Sequence, residues 1–168
     1  NKIEELSNIK FFETEFIFSK HKKYLICSGR LIKIKNFDVV IKSLNFLDDT
    51  VQLILLGDGE EKESLMKLSF ELGLTDRVHF LGNIKNPFQL IKKADIFILS
   101  SKTEGFPMVL IEAMVCEVPI ISTHCVSGPS EIFNVDEFEW EESGIKKTEY
   151  GILTKIGDPV CLSKAIVQ

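Results

Sequence analysis

The chain has 168 residues, 45% of them hydrophobic and 27% charged, the profile of a globular domain long enough to bury a substantial core. A formal net charge of −5 excludes nucleic acid as a main partner, because backbone binding needs concentrated Lys and Arg. No apolar run reaches the length of a membrane span and no signal-peptide pattern opens the chain, so a cytoplasmic location is expected.

Residues 1–22 are mixed and charged, with aromatics at Phe11, Phe12, Phe16 and Phe18, and read as the end of a connection from a preceding lobe. An apolar run over 24–28 predicts a strand that stops at Gly29. Helical spacing of Phe37, Val40, Ile41, Leu44 and Leu47 predicts a helix over 36–47. A strand over 51–56 stops at Gly57, and a helix over 60–72 ends at Gly73. Residues 77–81 form a shorter strand before Gly82, and Pro87 opens a short helix within 86–93. Strand 96–100, helix 107–115, strand 118–122, a helical turn at 129–133, a short strand at 150–153 and a helix at 159–167 complete the series.

Strands that are apolar throughout, each followed by a helix, imply an α/β domain with a doubly wound, Rossmann-like parallel sheet covered on both faces. Its ligand belongs at the carboxyl ends of the strands. The segments that follow strand ends should therefore converge on one rim: Gly29-Arg30, Gly57-Asp58-Gly59, Gly82-Asn83, and the stretches 100–105 and 122–128. The acidic stretch 136–142 with Trp140, ahead of Lys146-Lys147, reads as a solvated loop. Four widely spaced cysteines form no C-x-x-C and read as buried reduced thiols, and three lone histidines give no metal site.

The most informative feature is a pair of glutamates, Glu104 and Glu112, separated by seven residues across a strand-to-helix turn. Carboxylates accept hydrogen bonds in a fork, which suits a ligand rich in hydroxyls. The helix N-terminus between them offers unpaired N–H groups and the positive end of a dipole, which suits phosphate. Sugar, phosphate and ribose together describe a nucleotide-sugar. Arg30 and Lys35 lie on one βα loop. Alone they are two surface cations; beside the glutamates they read as the counter-charge of a diphosphate. Gly57-Asp58-Gly59 is either a ligand-contacting loop or a tight turn, and the backbone around Val78 and Gly82 is either core strand or the edge that meets a base. His79 reads as a strand residue. Gly128 can bring backbone close to a ligand, and Glu131 either caps the turn at 129–133 or reaches a sugar. His124 stands near the same rim.

Taken in order, Gly29-Arg30-Leu31, Lys35-Asn36, Gly57-Asp58-Gly59, Asp76-Arg77-Val78-His79-Phe80-Leu81-Gly82, Ser100-Ser101, Glu104-Gly105-Phe106-Pro107, Glu112-Ala113-Met114 and Gly157-Asp158-Pro159 resemble the C-terminal half of a GT-B glycosyltransferase. The closest likeness is to the retaining group 1 transferases of family four, from about residue 24 to the end. That resemblance implies a donor-binding domain over 23–168, with 1–22 a linker from a missing lobe. It implies that Arg30 and Lys35 hold the diphosphate and that Glu104 holds the transferred sugar. Glu112 would hold the ribose, the amides of Phe106, Met108 and Val109 would approach the phosphates, and Gly105 would belong to the same binding loop. Backbone near Val78 and Gly82 would meet the base, with Gly57 on the same rim. The implied donor is a nucleoside-diphosphate sugar, with no cofactor and no metal. The acceptor, a sugar or lipid-linked sugar, would bind the missing lobe, and any peripheral membrane contact would be made there. Asn1 at the start and an end inside a helix-like stretch also suggest a piece of a longer protein, inactive in transfer by itself. A non-catalytic nucleotide-binding module and a nucleotide-sugar epimerase are the competing readings. A dinucleotide dehydrogenase is disfavoured because Arg30 stands where G-x-G-x-x-G is needed.

Overall fold

The computed structural model describes residues 16–125, 127–135 and 139–168, so the expectations on Phe11, Phe12 and the start of the acidic stretch, 136–138, lie outside the described residues. In chain order the elements are β1 (Lys23–Ser28), a 3-10 turn (Lys33–Lys35), α1 (Phe37–Ser43) running into a 3-10 turn (Leu44–Phe46), β2 (Val51–Leu56) and α2 (Lys62–Glu71). Then come β3 (Val78–Gly82), α3 (Phe88–Ile91), β4 (Ile96–Leu99), α4 (Met108–Val115) and β5 (Ile120–Thr123). The last are α5 (Pro129–Ile132), β6 (Ile145–Lys147), β7 (Ile152–Thr154) and α6 (Pro159–Ile166).

Among the described residues the strands form one seven-stranded sheet in the order β3-β2-β1-β4-β5-β7-β6. Its register sets Leu25 against Leu53 on one side and against Ile96 on the other. Period-two alternation then sorts the strand residues between two cores. Leu25, Cys27, Leu53, Leu55, Ile98 and Ile121 face α1, α2 and α6 through Val40, Ile41, Leu65 and Leu162. Tyr24, Ile26, Ile54, Leu56, Phe97, Leu99 and Ile120 face α3 and α4 through Ile91, Leu110 and Ala113. Each fully buried aliphatic side chain contributes about 1.5–3 kcal/mol. Truncating Phe97, at 0% exposure in the central strand, to Ala costs about 3–5 kcal/mol.

One expectation needs correction. The sheet is not wholly parallel: Ile145–Lys147, just after the stretch read as a solvated loop, forms β6, antiparallel to β7. Ile145 is fully buried in the α1/α6 core, which is what holds this short strand down. The chain just before β1 packs onto the domain from Phe16 onward. The Phe16 and Phe18 rings pack edge-on against Tyr24, with centroids at 5.8 and 4.7 Å, and Phe16 also meets His79 at 5.0 Å. Elsewhere the helices are shorter than their apolar spacing suggests. Residue 36 takes φ 58 between the 3-10 turn and α1, which separates Lys35 from the helix.

β1 and β4 are neighbours in the sheet, although two strands separate them in sequence. Connections leave this point in opposite directions, and the carboxyl ends of β1 and β4 border the crevice that results.

Candidate functional site at the carboxyl ends of the strands

The loops after β1 and β4 are stitched together across that crevice. Ser100 Oγ donates to the Lys35 carbonyl at 2.7 Å, and the Lys102 amide donates to the Ile34 carbonyl at 2.8 Å. Lys35 is thereby aimed across the gap, where its Nζ donates to Glu104 Oε1 at 2.6 Å. Both partners are largely shielded, the Glu104 side chain to 12% exposure and that of Lys35 to 21%. Ser101 Oγ donates to the same Oε1 at 2.5 Å. Behind it, Thr123 Oγ1 on β5 donates to the Ser101 carbonyl at 2.6 Å, and Ser127 Oγ donates to the Glu104 carbonyl at 2.7 Å.

α4 begins at Met108, three residues past Gly105. Pro107 is buried and caps it, accepting from the Leu110 amide at 2.9 Å. The amides of Met108 and Val109 open the helix without an acceptor among the described residues, as the first turn of any helix does. Phe106 and Met108 stand 55% and 53% exposed on the rim. The space beside Gly105 is open, whereas a side chain at Gly128 would strike Pro107 and the Gly105 carbonyl. Gly128 thus lets the α5 entry pack against the Glu104 loop. Glu112 is half-buried on α4, and burial pushes its carboxyl above the usual range.

The remaining candidates separate clearly. Arg30 is exposed at the end of β1 and holds no ion pair among the described residues. Lys35 does not stand free: it is shared with Glu104. Gly82 ends β3 on the rim, and its carbonyl accepts from the Gly57 amide at 2.7 Å. Val78 is not on that rim. It opens β3 at the opposite end, about 13 Å away at 3.3 Å per residue, and is buried in the core. Gly57 has a demand of its own. A Cβ there would lie 2.0 Å from the Gly29 carbonyl oxygen, so its missing side chain serves the contact between two loops.

His79 bonds Gln52 through Nε2 at 3.0 Å and belongs to the strand, as expected. The His124 ring meets Trp140 edge-on at 5.7 Å, so the acidic stretch docks against the rim at this point. All four cysteines are buried and free. Cys125 lies under the site: burial, then the Glu104 charge, pushes its thiol up. Ser101, Thr123 and Ser127 were not singled out in the sequence as individual contributors. The Ser-Ser step after a strand was visible, but hydroxyl pairing has no periodic signal. Among the described residues no group of three or more His, Cys, Asp or Glu side chains is arranged to hold a metal ion. A hollow of about 400 Å³ opens at the opposite edge, lined by Ile96, Ile120, Tyr150 and Ile166, away from the charged cluster.

The chain matches the family described as glycosyl transferases group 1 over residues 9–155. It is 36% identical over 163 residues to an uncharacterized glycosyltransferase of Methanocaldococcus jannaschii, covering 92% of this chain and 39% of that protein. A second relative is the N-acetylgalactosamine-N,N'-diacetylbacillosaminyl-diphospho-undecaprenol 4-alpha-N-acetylgalactosaminyltransferase of Campylobacter jejuni, 37% identical over 134 residues, covering 80% of this chain and 36% of that one. Among solved structures, Anabaena HepE in complex with UDP and glucose superposes with a TM-score of 0.73 at 27% identity, covering 88% of this chain and 38% of that one. The chain thus spans about two fifths of the length of the curated relatives it matches.

Proposed function

The chain belongs to the group 1 glycosyl transferases and has the fold of the C-terminal domain of a GT-B enzyme, and on that premise we propose that it is the donor-binding lobe of a retaining glycosyltransferase. The reading rests most on one observation: Lys35 and Glu104 meet across the switch point, beside the unpaired first amides of α4. A cation, two carboxylates and a helix N-terminus there suit a diphosphate joined to two polyhydroxylated rings.

In this reading Arg30, Lys35 and the amides of Met108 and Val109 hold the diphosphate. Glu104 accepts from hydroxyls of the transferred sugar, and Glu112 accepts from the ribose. The base lies near Gly82. As the bond from the anomeric carbon to the phosphate oxygen breaks, its electron pair leaves on the diphosphate, where the two cations and the amides stabilise it without a required metal. The carbon becomes oxocarbenium-like and is attacked by an acceptor hydroxyl oxygen on the face the diphosphate leaves, the hydroxyl proton passing to the departing phosphate oxygen, so configuration is kept. Residues 1–22 are the connection from the acceptor-binding lobe, and 23–168 bind nucleotide without transferring sugar.

The solved complex of HepE with UDP supports a uridine donor. The diphospho-undecaprenol acceptor in the name of the Campylobacter relative supports a lipid-linked acceptor and a role in polysaccharide or glycolipid synthesis. Calorimetric titration with UDP, GDP and ADP, then with their sugar conjugates, tests the proposal. Product analysis on the full-length protein follows. Absence of binding to every nucleoside diphosphate would sink it, and an epimerised donor in place of a transferred sugar would redirect it.

A further inference from the structure

The two oxygens of Glu104 are in different circumstances. Oε1 takes both Lys35 Nζ, at 2.6 Å, and Ser101 Oγ, at 2.5 Å. Oε2 takes no hydrogen bond from the described residues and is not among the buried, unpartnered atoms, so it reaches solvent. The difference originates in two consecutive serines, both 1% exposed, at the end of β4. Neighbouring residues of an extended chain point to opposite sides. Ser100 accordingly turns to the β1 loop and grips the Lys35 carbonyl, while Ser101 turns to Glu104. Thr123, 3% exposed, fixes the Ser101 backbone from β5.

We propose that Ser100 and Ser101 are a positioning pair that sets Lys35 against Glu104, and that Ser101 commits Oε1 to the protein so that Oε2 alone is presented to the ligand. Resting on the donor-lobe reading, the proposal assigns specificity for the sugar to the orientation of one carboxylate. A Glu104 free to rotate would offer either oxygen and spend part of its time wholly paired to Lys35. Ser101 touches no reacting atom and acts through Glu104. The nucleotide half of the donor does not meet Glu104 in this arrangement, so Ser101 governs the sugar half only.

The test uses the full-length protein with Ser101→Ala and Ser101→Thr. Ser101→Ala is expected to leave UDP affinity within twofold, to remove most of the extra affinity that UDP-sugar has over UDP, and to lower kcat by 10- to 100-fold. Ser101→Thr, which keeps the hydroxyl, restores kcat to within severalfold. A melting-temperature cycle of Ser101→Ala and Glu104→Gln is expected to be non-additive, because the two groups share one bond. Additive melting shifts, or wild-type kcat in Ser101→Ala, overturn the proposal. So does an equal loss of UDP and UDP-sugar affinity, which marks a general structural defect. A non-additive cycle in a protein that binds no nucleoside diphosphate leaves the serine–glutamate bond standing and removes the donor-lobe reading instead.

Discussion

Lys35 and Glu104 lie 69 residues apart in sequence and bond at 2.6 Å, one from the loop after β1 and the other from the loop after β4. The contact crosses the one place in the sheet where connections diverge, so it depends on strand order and not on local sequence. It also neutralises the lysine before any ligand arrives. On the proposed reading, donor binding is an exchange in which Lys35 shares its protons between Glu104 and a phosphate.

That exchange makes Glu104→Gln informative. The amide keeps the shape of the carboxylate and loses its charge, releasing Lys35 from its ion pair. UDP affinity is expected to hold or rise by up to about tenfold, in line with about 1.4 kcal/mol from removing a like charge near the diphosphate. Transfer by the full-length protein is expected to fall by about 100-fold or more. Paired calorimetry and steady-state rates check both, and a parallel fall in UDP affinity contradicts the arrangement.

Glu112 predicts a pH dependence. Burial raises its carboxyl in the folded state above the value of about 4.5 expected when unfolded. The native state thus holds its proton more tightly, so this group's contribution to stability is fully present below the unfolded value and is lost as pH rises through the raised one. Glu112→Gln is accordingly expected to stabilise the fold at neutral pH relative to the wild type, with the difference vanishing in acid. Chemical denaturation from pH 4 to 7.5 measures this. On the proposed reading the ionised Glu112 accepts from the ribose, so UDP affinity should weaken on acidification sooner in the wild type than in Glu112→Gln.

Three glycines on the rim separate structural from ligand demands. Gly57→Ala places a methyl 2.0 Å from the Gly29 carbonyl at φ 126, and is expected to cost about 2–4 kcal/mol in strain and overpacking. Gly82→Ala meets nothing within 4 Å and carries only the backbone penalty of φ 71, about 1–2 kcal/mol. Urea denaturation of the two variants should rank them in that order.

Gly105→Ala is the complementary case. Nothing lies within 4 Å of the added methyl and no positive φ is needed there. Melting should match the wild type to within about 0.5 kcal/mol. A loss of UDP or UDP-sugar affinity in this variant then reports the room that the ligand itself requires beside α4, and unchanged affinity removes Gly105 from the binding surface.

Much of this architecture was legible because buried parallel strands are written as continuous apolar runs. The run at 51–56 is β2 residue for residue, and Gly57 marks its end. Lys35 and Glu104 could be placed from sequence on the loops after two apolar runs, and those loops do bring them together. β6 was not: three residues with two lysines, anchored by Ile145 alone, offer neither alternation nor length. Val78 was misplaced because a motif gives order along the chain and not which end of a strand faces the cleft. Nothing in single residues disclosed that Ser101 chooses one oxygen of Glu104, since that bond exists only once β4, the 101–104 turn and β5 are assembled.

β6 has one more consequence. Left without it, the sheet would finish on a parallel strand with a row of unanswered amides and carbonyls, an invitation to pair with another polypeptide. Three residues running the opposite way close that side with a stub too short to template a stranger's strand, with Lys147 exposed on it. The feature hardest to foresee in this chain thus disfavours strand addition at that one edge.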